Sequence, residues 1–232
     1  MNHLHERPGP TGRGEVSRRP DGRLFLSIDT WDDADFARLA ADMLPTLPRP
    51  LYTVVDEADA ELRSRWESAG FATRRREWEY VLPTARAAGS VPADVTIGPP
   101  SDERLLRSAE DVIRAEVEAA VGWHEMPAEI LPRPEIPDVT KYVVAESAGD
   151  YVGLLRLAAV TRQPRIGLLA VRTDRRRRGI GRALLAHVLD VLHHRGIPAA
   201  SAEVNEANSA AVALVEGAGA RRVGSNLELV LR

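Results

Sequence analysis

Apolar and polar positions along the chain follow two periods. Short apolar runs of strand composition lie at Leu24–Ile28, Leu51–Val55, Phe71–Leu82, Val95–Ile97, Arg165–Val171, Ala199–Val204 and Arg222–Leu231. Between them lie stretches with helical spacing. Phe36, Leu39, Ala40 and Met43 share one face of a helix predicted over Trp31–Leu44, with Thr30 as its cap. A second helix is predicted over Ala58–Ala69, ended by Gly70. A third starts at Ser101 or Asp102 and runs to about Val121, with Leu105, Val112, Ile113 and Val117 on its face. Prolines 127, 132, 134 and 137 end it. Lys141–Glu146 and Tyr151–Val160 read as a hairpin across Ser147–Asp150. Ile180, Ala183, Leu184, Val188, Leu189 and Leu192 define a fourth helix, and Ser209–Ala218 a fifth. The alternation of strands and helices predicts the α/β class, with a mixed sheet.

The strand ending at Val171 is followed by a polar turn, Arg172–Asp174, by Arg175–Arg178, and by Gly179-Ile180-Gly181 at the start of the fourth helix. Strand, glycine loop and helix start form a phosphate-holding geometry. The first helical N–H groups lack internal partners, and the macrodipole favours negative charge there. No G-K-[ST] follows, so this is not a Walker loop. G-x-G-x-x-G would need a glycine at Leu184, so it is not the dinucleotide fingerprint.

The pattern R-x-x-G-x-G from Arg176 to Gly181, set between a strand and R-A-L-L, resembles the pyrophosphate loop of the GNAT superfamily of N-acetyltransferases. A second stretch, Ser201–Ala220, resembles the E-V-x-x-x-N-x-x-A-x-x-L-Y-E-x-x-G-F ending of that family, in the type that acetylates the amino termini of ribosomal proteins. The resemblance implies an acyl-CoA N-acyltransferase fold over most of Val95–Arg232 and acetyl-CoA as co-substrate. It implies that a primary amine, on a small molecule or a peptide N-terminus, attacks the thioester directly. Arg176, Arg177, Arg178, Gly179, Ile180, Gly181 and Arg182 fall on the pyrophosphate loop, and Asn208 on the asparagine that contacts the CoA arm. Leu169, Ala170 and Val171 fall on the strand whose backbone bonds pantetheine and polarises the thioester carbonyl, where GNAT sheets splay. Glu203 falls on the general base, and Trp123, His124 and Glu125 on the border of the acceptor groove. The sequence departs from the pattern twice. Val215 replaces the tyrosine that protonates the leaving thiolate, and Ala220 replaces an aromatic residue.

A shift of 149 positions lays Asp56–Leu82 over Asn205–Leu231, matching Glu57 with Glu206, Glu67 with Glu216 and Ala69-Gly70 with Ala218-Gly219. The early copy has only Asp29-Thr30 where the later one has its glycine loop, and Val54 where the later one has Glu203. The expected layout is a mobile tail over residues 1–23 and a partial GNAT-like αβ repeat without a CoA loop over 24–83. A linker follows over 84–93, and the catalytic domain over 94–232.

Composition narrows the functional classes. The 232 residues include no cysteine, which excludes a disulfide framework and a cysteine acyl-enzyme. The net charge is -3, which argues against nucleic acid as the partner of the arginine run. No apolar run approaches a membrane span, no apolar core follows the first charges as in a secretory signal, and no spacing suits a metal. A cytoplasmic monomer or homodimer without metal, membrane or nucleic-acid partners is expected. Glu116, Glu118 and Glu125 are candidates for attracting a cationic amine. The rival class is an acyl-CoA-binding regulatory or scaffold protein with little turnover, which Val215 and the truncated first copy motivate.

Overall fold

The computed structural model describes residues 2–9, 12–84, 90–126, 137–158 and 163–232. Residues 85–89 of the expected linker, the prolines at 127, 132 and 134, and Val160 lie outside the described residues. The chain runs through β1 (Asn2–Gly9), β2 (Gly12–Arg18), β3 (Leu24–Thr30), α1 (Asp33–Met43), β4 (Leu51–Asp56), α2 (Ala60–Ser68) and β5 (Ala72–Pro83). It continues through β6 (Thr96–Gly98), α3 (Glu103–Ala120), β7 (Tyr142–Ser147), β8 (Asp150–Ala158) and β9 (Arg165–Val171). It ends with α4 (Ile180–His194), β10 (Ala199–Asn205), α5 (Ser209–Glu216) and β11 (Arg221–Leu231). Two compact units result. The first comprises Met1–Trp78 with Gly224–Arg232, and the second Glu79–Val223.

In the first unit the strand order is β1-β2-β3-β4-β11-β5. β3 and β4 run parallel, with Leu24 beside Leu51, and β11 runs antiparallel to β4, with Leu231 beside Leu51. Leu24, Leu26, Ile28, Leu51, Val55, Leu227, Leu229 and Leu231 face α1 and α2, where Phe36, Met43 and Trp66 close the core. The expected mobile tail is corrected here, because β2 is an antiparallel partner of β3 along its whole length and Val16 is fully buried. Gly14 shows why a glycine-rich segment is ordered there. A Cβ on it would come within 2.2 Å of the Met43 sulfur, so any larger residue would have to displace this buried side chain of α1. The cap of α1 is Asp32, not Thr30, and its carboxylate accepts the Asp35 N–H at 2.8 Å. β3 runs on through Thr30, which moves the helix start two residues later.

The second unit has the order β5-β10-β9-β8-β7-β6. α3 covers one face with Leu106, Ala109, Ile113 and Val117 against Tyr142, Val144, Leu154, Leu168 and Ala170. Val112, expected on that face, is largely exposed, and Leu106 takes the buried place. α4 buries Ile180, Ala183, Leu184, Leu185, Val188, Leu189 and Leu192, which include all six positions of the predicted stripe. A Cβ on Gly153 of β8 would lie 3.2 Å from Leu184, so α4 lies close against that strand.

The starts of α2 and α5, 149 positions apart, are capped alike. Asp59 caps α2 at φ -83, ψ 78, and Asn208, 149 positions on, caps α5 at φ -84, ψ 74. Each accepts a backbone N–H three residues later, and left-handed glycines, Gly70 and Gly219, follow the two helices. Trp66 and Val215 are the buried residues of the two helices and stand at the same spacing.

Candidate active site

All expected site residues lie in the second unit. β9 ends at Val171, and a 3-10 turn over Thr173–Arg175 leads into an extended Arg176. Glu116 of α3 holds this turn. Its carboxylate accepts the Thr173 N–H at 2.7 Å and the Thr173 hydroxyl at 3.0 Å. Arg176 turns back to donate from Nε to the Val171 carbonyl at 3.1 Å. Arg177 and Gly179 both have left-handed backbones, at φ 67 and 84. Two such residues fold the loop tightly enough to place Gly179 at the N-cap of α4.

No side chain caps α4, so its first N–H groups point outward unpaired. A Cβ on Gly179 would meet nothing within 4 Å, whereas one on Gly181 would face Leu169, Val171 and Leu214 at 3.4 to 3.8 Å. The first glycine therefore leaves open space in front of the helix terminus, and the second seats the helix on β9. Arg176, Arg177, Arg178 and Arg182 are exposed around this terminus, and Ile180 is buried. The arrangement is an anion cradle, with the helix dipole and the arginine charges acting in the same sense.

β9 pairs with β8 from Arg165 to Val171. Toward β10, its register among the described residues is the single position Arg165–Ser201. Leu169–Val171 thus have a ladder on one edge and none registered on the other. A strand parted from its neighbour in this way offers backbone donors and acceptors to a ligand. Asn208 sits at the start of α5 with its side-chain oxygen committed to the Ala211 N–H at 3.1 Å.

Glu203 projects from β10 with its side chain 15% exposed, and its Oε1 accepts from Arg165 Nη1 at 2.8 Å. Two residues on, Asn205 donates from Nδ2 to the backbone oxygen and to the carboxylate of Glu125, both at 3.2 Å. Its own oxygen accepts the Ala207 N–H at 2.9 Å. Asn205 thereby brings the Trp123–Glu125 turn to the strand that carries Glu203. Trp123 lies under the Arg114 guanidinium, 5.2 Å from the ring centroid, and packs against the α3 core, while His124 is exposed. The three acidic candidates for a cationic amine all have structural duties. Glu116 holds Thr173, Glu118 accepts the Trp123 N–H, and Glu125 accepts from Asn205. Val215 is buried.

Sequence reasoning missed Arg165 and Asn205. Each acts through a partner 38 or 80 positions away, and neither belongs to a motif. Glu110 was also missed. It is 2% exposed on the buried face of α3, paired with Arg114 at 2.9 Å and receiving the Tyr142 hydroxyl at 3.3 Å. Burial raises the Tyr142 phenol, and the neighbouring Glu110 charge raises it further. Among the described residues no cluster of His, Cys, Asp or Glu could hold a metal ion, and no helix is long and apolar enough to cross a membrane.

A mixed αβ unit with an uncapped, glycine-opened helix beside a strand whose Leu169–Val171 edge has no registered partner is of a class that can receive an anion. Comparisons with known proteins give the family. The profile of the Acetyltransferase (GNAT) family matches residues 107–220. A GCN5-related N-acetyltransferase from Sphaerobacter thermophilus superposes with a TM-score of 0.69 at 17% identity, over 95% of this chain and 76% of that one. One from Kribbella flavida gives 0.69 at 13%, over 97% and 88%. A tandem GNAT protein from the clavulanic acid biosynthesis pathway gives 0.67 at 14%, over 97% and 80%. Residues 107–220 thus form a GNAT-family domain, and members of that family use acyl-CoA. Locally the chain is 47% identical over 51 residues to the ribosomal protein bS18-alanine N-acetyltransferases of Escherichia coli and Salmonella typhimurium. That match spans 22% of this chain and 34% of the relatives' length.

Proposed function

We propose that the second unit is an acetyl-CoA-dependent N-acetyltransferase acting on a primary amine. The observation that carries this reading is the uncapped start of α4 behind Gly179, beside the unpaired edge of β9. The residues fit the ligand. The N–H groups at the start of α4, with Arg176–Arg178 and Arg182 around them, would hold the pyrophosphate. The free edge of Leu169–Val171 would hold the pantetheine amides, and Asn208, the cap of α5, would contact the CoA arm. Acetyl-CoA supplies the activated acyl group. The chain aligns the amine, lends backbone donors to the carbonyl, and offers Glu203 to take the proton the amine must lose, directly or through water. With no cysteine in the chain, a cysteine acyl-enzyme plays no part. The acceptor class that the local relatives suggest is a peptide amino terminus, in the cytoplasm.

The test begins with binding. Acetyl-CoA at a hundredfold excess over its Kd should stabilise the fold by about 2.7 kcal/mol and raise Tm accordingly. Gly179→Asp should abolish the rise, because its carboxylate would cap α4 and occupy the anion's place with like charge. A full rise in the variant would remove the cradle from the reading. Thiol release should then be measured against amino sugars, polyamines, amino acids and peptides with free amino termini. Release with any of these supports the transferase. The buried Val215, where the resemblance places a tyrosine, favours a second reading as an acyl-CoA-binding regulatory protein, and binding without release across the whole panel would select it.

A further inference from the structure

The β8–β9 ladder contains one irregularity. Arg156 faces Leu168 and Leu157 faces Ile166, so Gly167 is an extra residue in β9. An inserted residue breaks the in-out alternation of a strand. Arg156 and Ala158 lie on one face of β8, and their partners are Leu168 and Arg165. The bulge thus puts Arg165 on the face of Leu168, which is the face α3 covers. Without it, Arg165 would lie on the opposite face, away from Glu203.

We propose that Arg165, swung to this face by the Gly167 bulge, is the positioning residue for Glu203. This rests on the reading of Glu203 as the base. The guanidinium makes a 2.8 Å charge-assisted bond to Oε1, with the arginine side chain 27% and the carboxylate 15% exposed. It fixes the direction of the carboxylate and keeps it charged, so that Glu203 remains able to accept a proton on the acid side of neutrality. The other charged groups on the elements beside it include Asp150 and Arg156 on β8, Arg74, Arg75, Arg76, Glu77 and Glu79 on β5, Glu110 and Arg114 on the buried side of α3, Glu206 just after β10 and Glu125 in the turn held by Asn205. Arg165 bonds Glu203 at 2.8 Å and sits at the registered β9–β10 position among the described residues.

The experiment is a titration of the Glu203 side-chain carbon by carboxyl NMR in the full chain, assigned with Glu203→Gln. Arg165→Met should raise the midpoint by about one pH unit or more, the usual effect of removing an adjacent arginine. The acid limb of kcat/KM should rise with it, using a hexapeptide with a free amino-terminal alanine as probe. Arg165→Lys keeps a cation but loses the planar fork. It should leave the midpoint within about half a unit and lower kcat at least threefold with little change in KM. An unmoved midpoint in folded Arg165→Met overturns the proposal. If Arg165→Met does not fold, Arg165→Lys decides, and an unchanged kcat there overturns it. If Glu203→Gln turns over the peptide like the parent, the base reading itself has failed, and a midpoint shift then marks only a structural ion pair.

Discussion

At the scale of single residues, Glu203 and Glu57 are two carboxylates with arginine partners and different consequences. Glu203→Gln should lower turnover by about 10²–10⁴-fold, the usual worth of a general base, with acetyl-CoA affinity nearly unchanged. Steady-state rates beside calorimetric binding check both halves, and an unaltered rate would leave alignment alone as the source of catalysis. Glu57 lies in the first unit and is gripped by Arg76 through two bonds of 2.7 Å, with the Ser225 hydroxyl at 2.6 Å. The Arg76 bonds, and then Ser225, hold its carboxyl down to about 2. A carboxylate whose folded pKa lies below its unfolded value, about 4.3, stabilises the fold above that value and loses the contribution as pH falls toward 2. The Tm difference between the parent and Glu57→Gln should therefore be largest above about pH 5 and shrink steadily between pH 4 and 2. A difference constant across that range would show that the ion pair does not contribute through its charge.

At the scale of elements, the twin caps of α2 and α5 invite paired substitutions. Asp59→Ala and Asn208→Ala each remove one side-chain acceptor from a helix start, and each should cost about 1 kcal/mol in chemical denaturation. Only Asn208→Ala should also weaken acetyl-CoA binding, because α2 has no glycine cradle before its strand. Val215→Tyr tests the missing acid. Water can protonate a thiolate whose acid has a pKa of about 8.5, so turnover should change less than tenfold. Stability should fall by about 1–3 kcal/mol, because the phenol ring has to enter a buried place. The sequence carried most of the elements. β9 spans Arg165–Val171 as its apolar run predicts, and the α4 stripe is buried at every predicted position. Signals that depend on another segment were harder to read. Gly12 and Gly14 look like tail residues until Met43 is known to pack against Gly14. The Gly167 bulge changes the facing of Arg165 without altering the composition of the strand. In the site, the glycine loop was legible because its chemistry is local, whereas Asn205 and Arg165 act across the fold.

At the scale of the whole molecule, one glycine cradle in the second unit implies one acetyl-CoA per chain. Titration calorimetry should return a stoichiometry near one, and a value of two would assign a ligand to the first unit as well. The two units also differ in how the chain supplies them. Every residue of the second lies between 79 and 223, whereas the first takes its strand between β4 and β5 from Gly224–Arg232. That strand contributes Leu227, Leu229 and Leu231 to the core, and Glu228 to ion pairs with Arg23, Arg74 and Arg75. A nascent chain emerges from the ribosome amino end first, and domains generally fold as they emerge. Here that order is reversed for the amino-terminal half. Its sheet waits, with a gap between β4 and β5, until Gly224–Arg232 have been translated and have left the ribosome. A ribosome stalled just after Val223 should expose a protease-sensitive amino-terminal half. Residues made before the second unit belong to a unit completed after it, so a nonsense mutation just after Val223 would damage a sheet that begins some two hundred residues upstream.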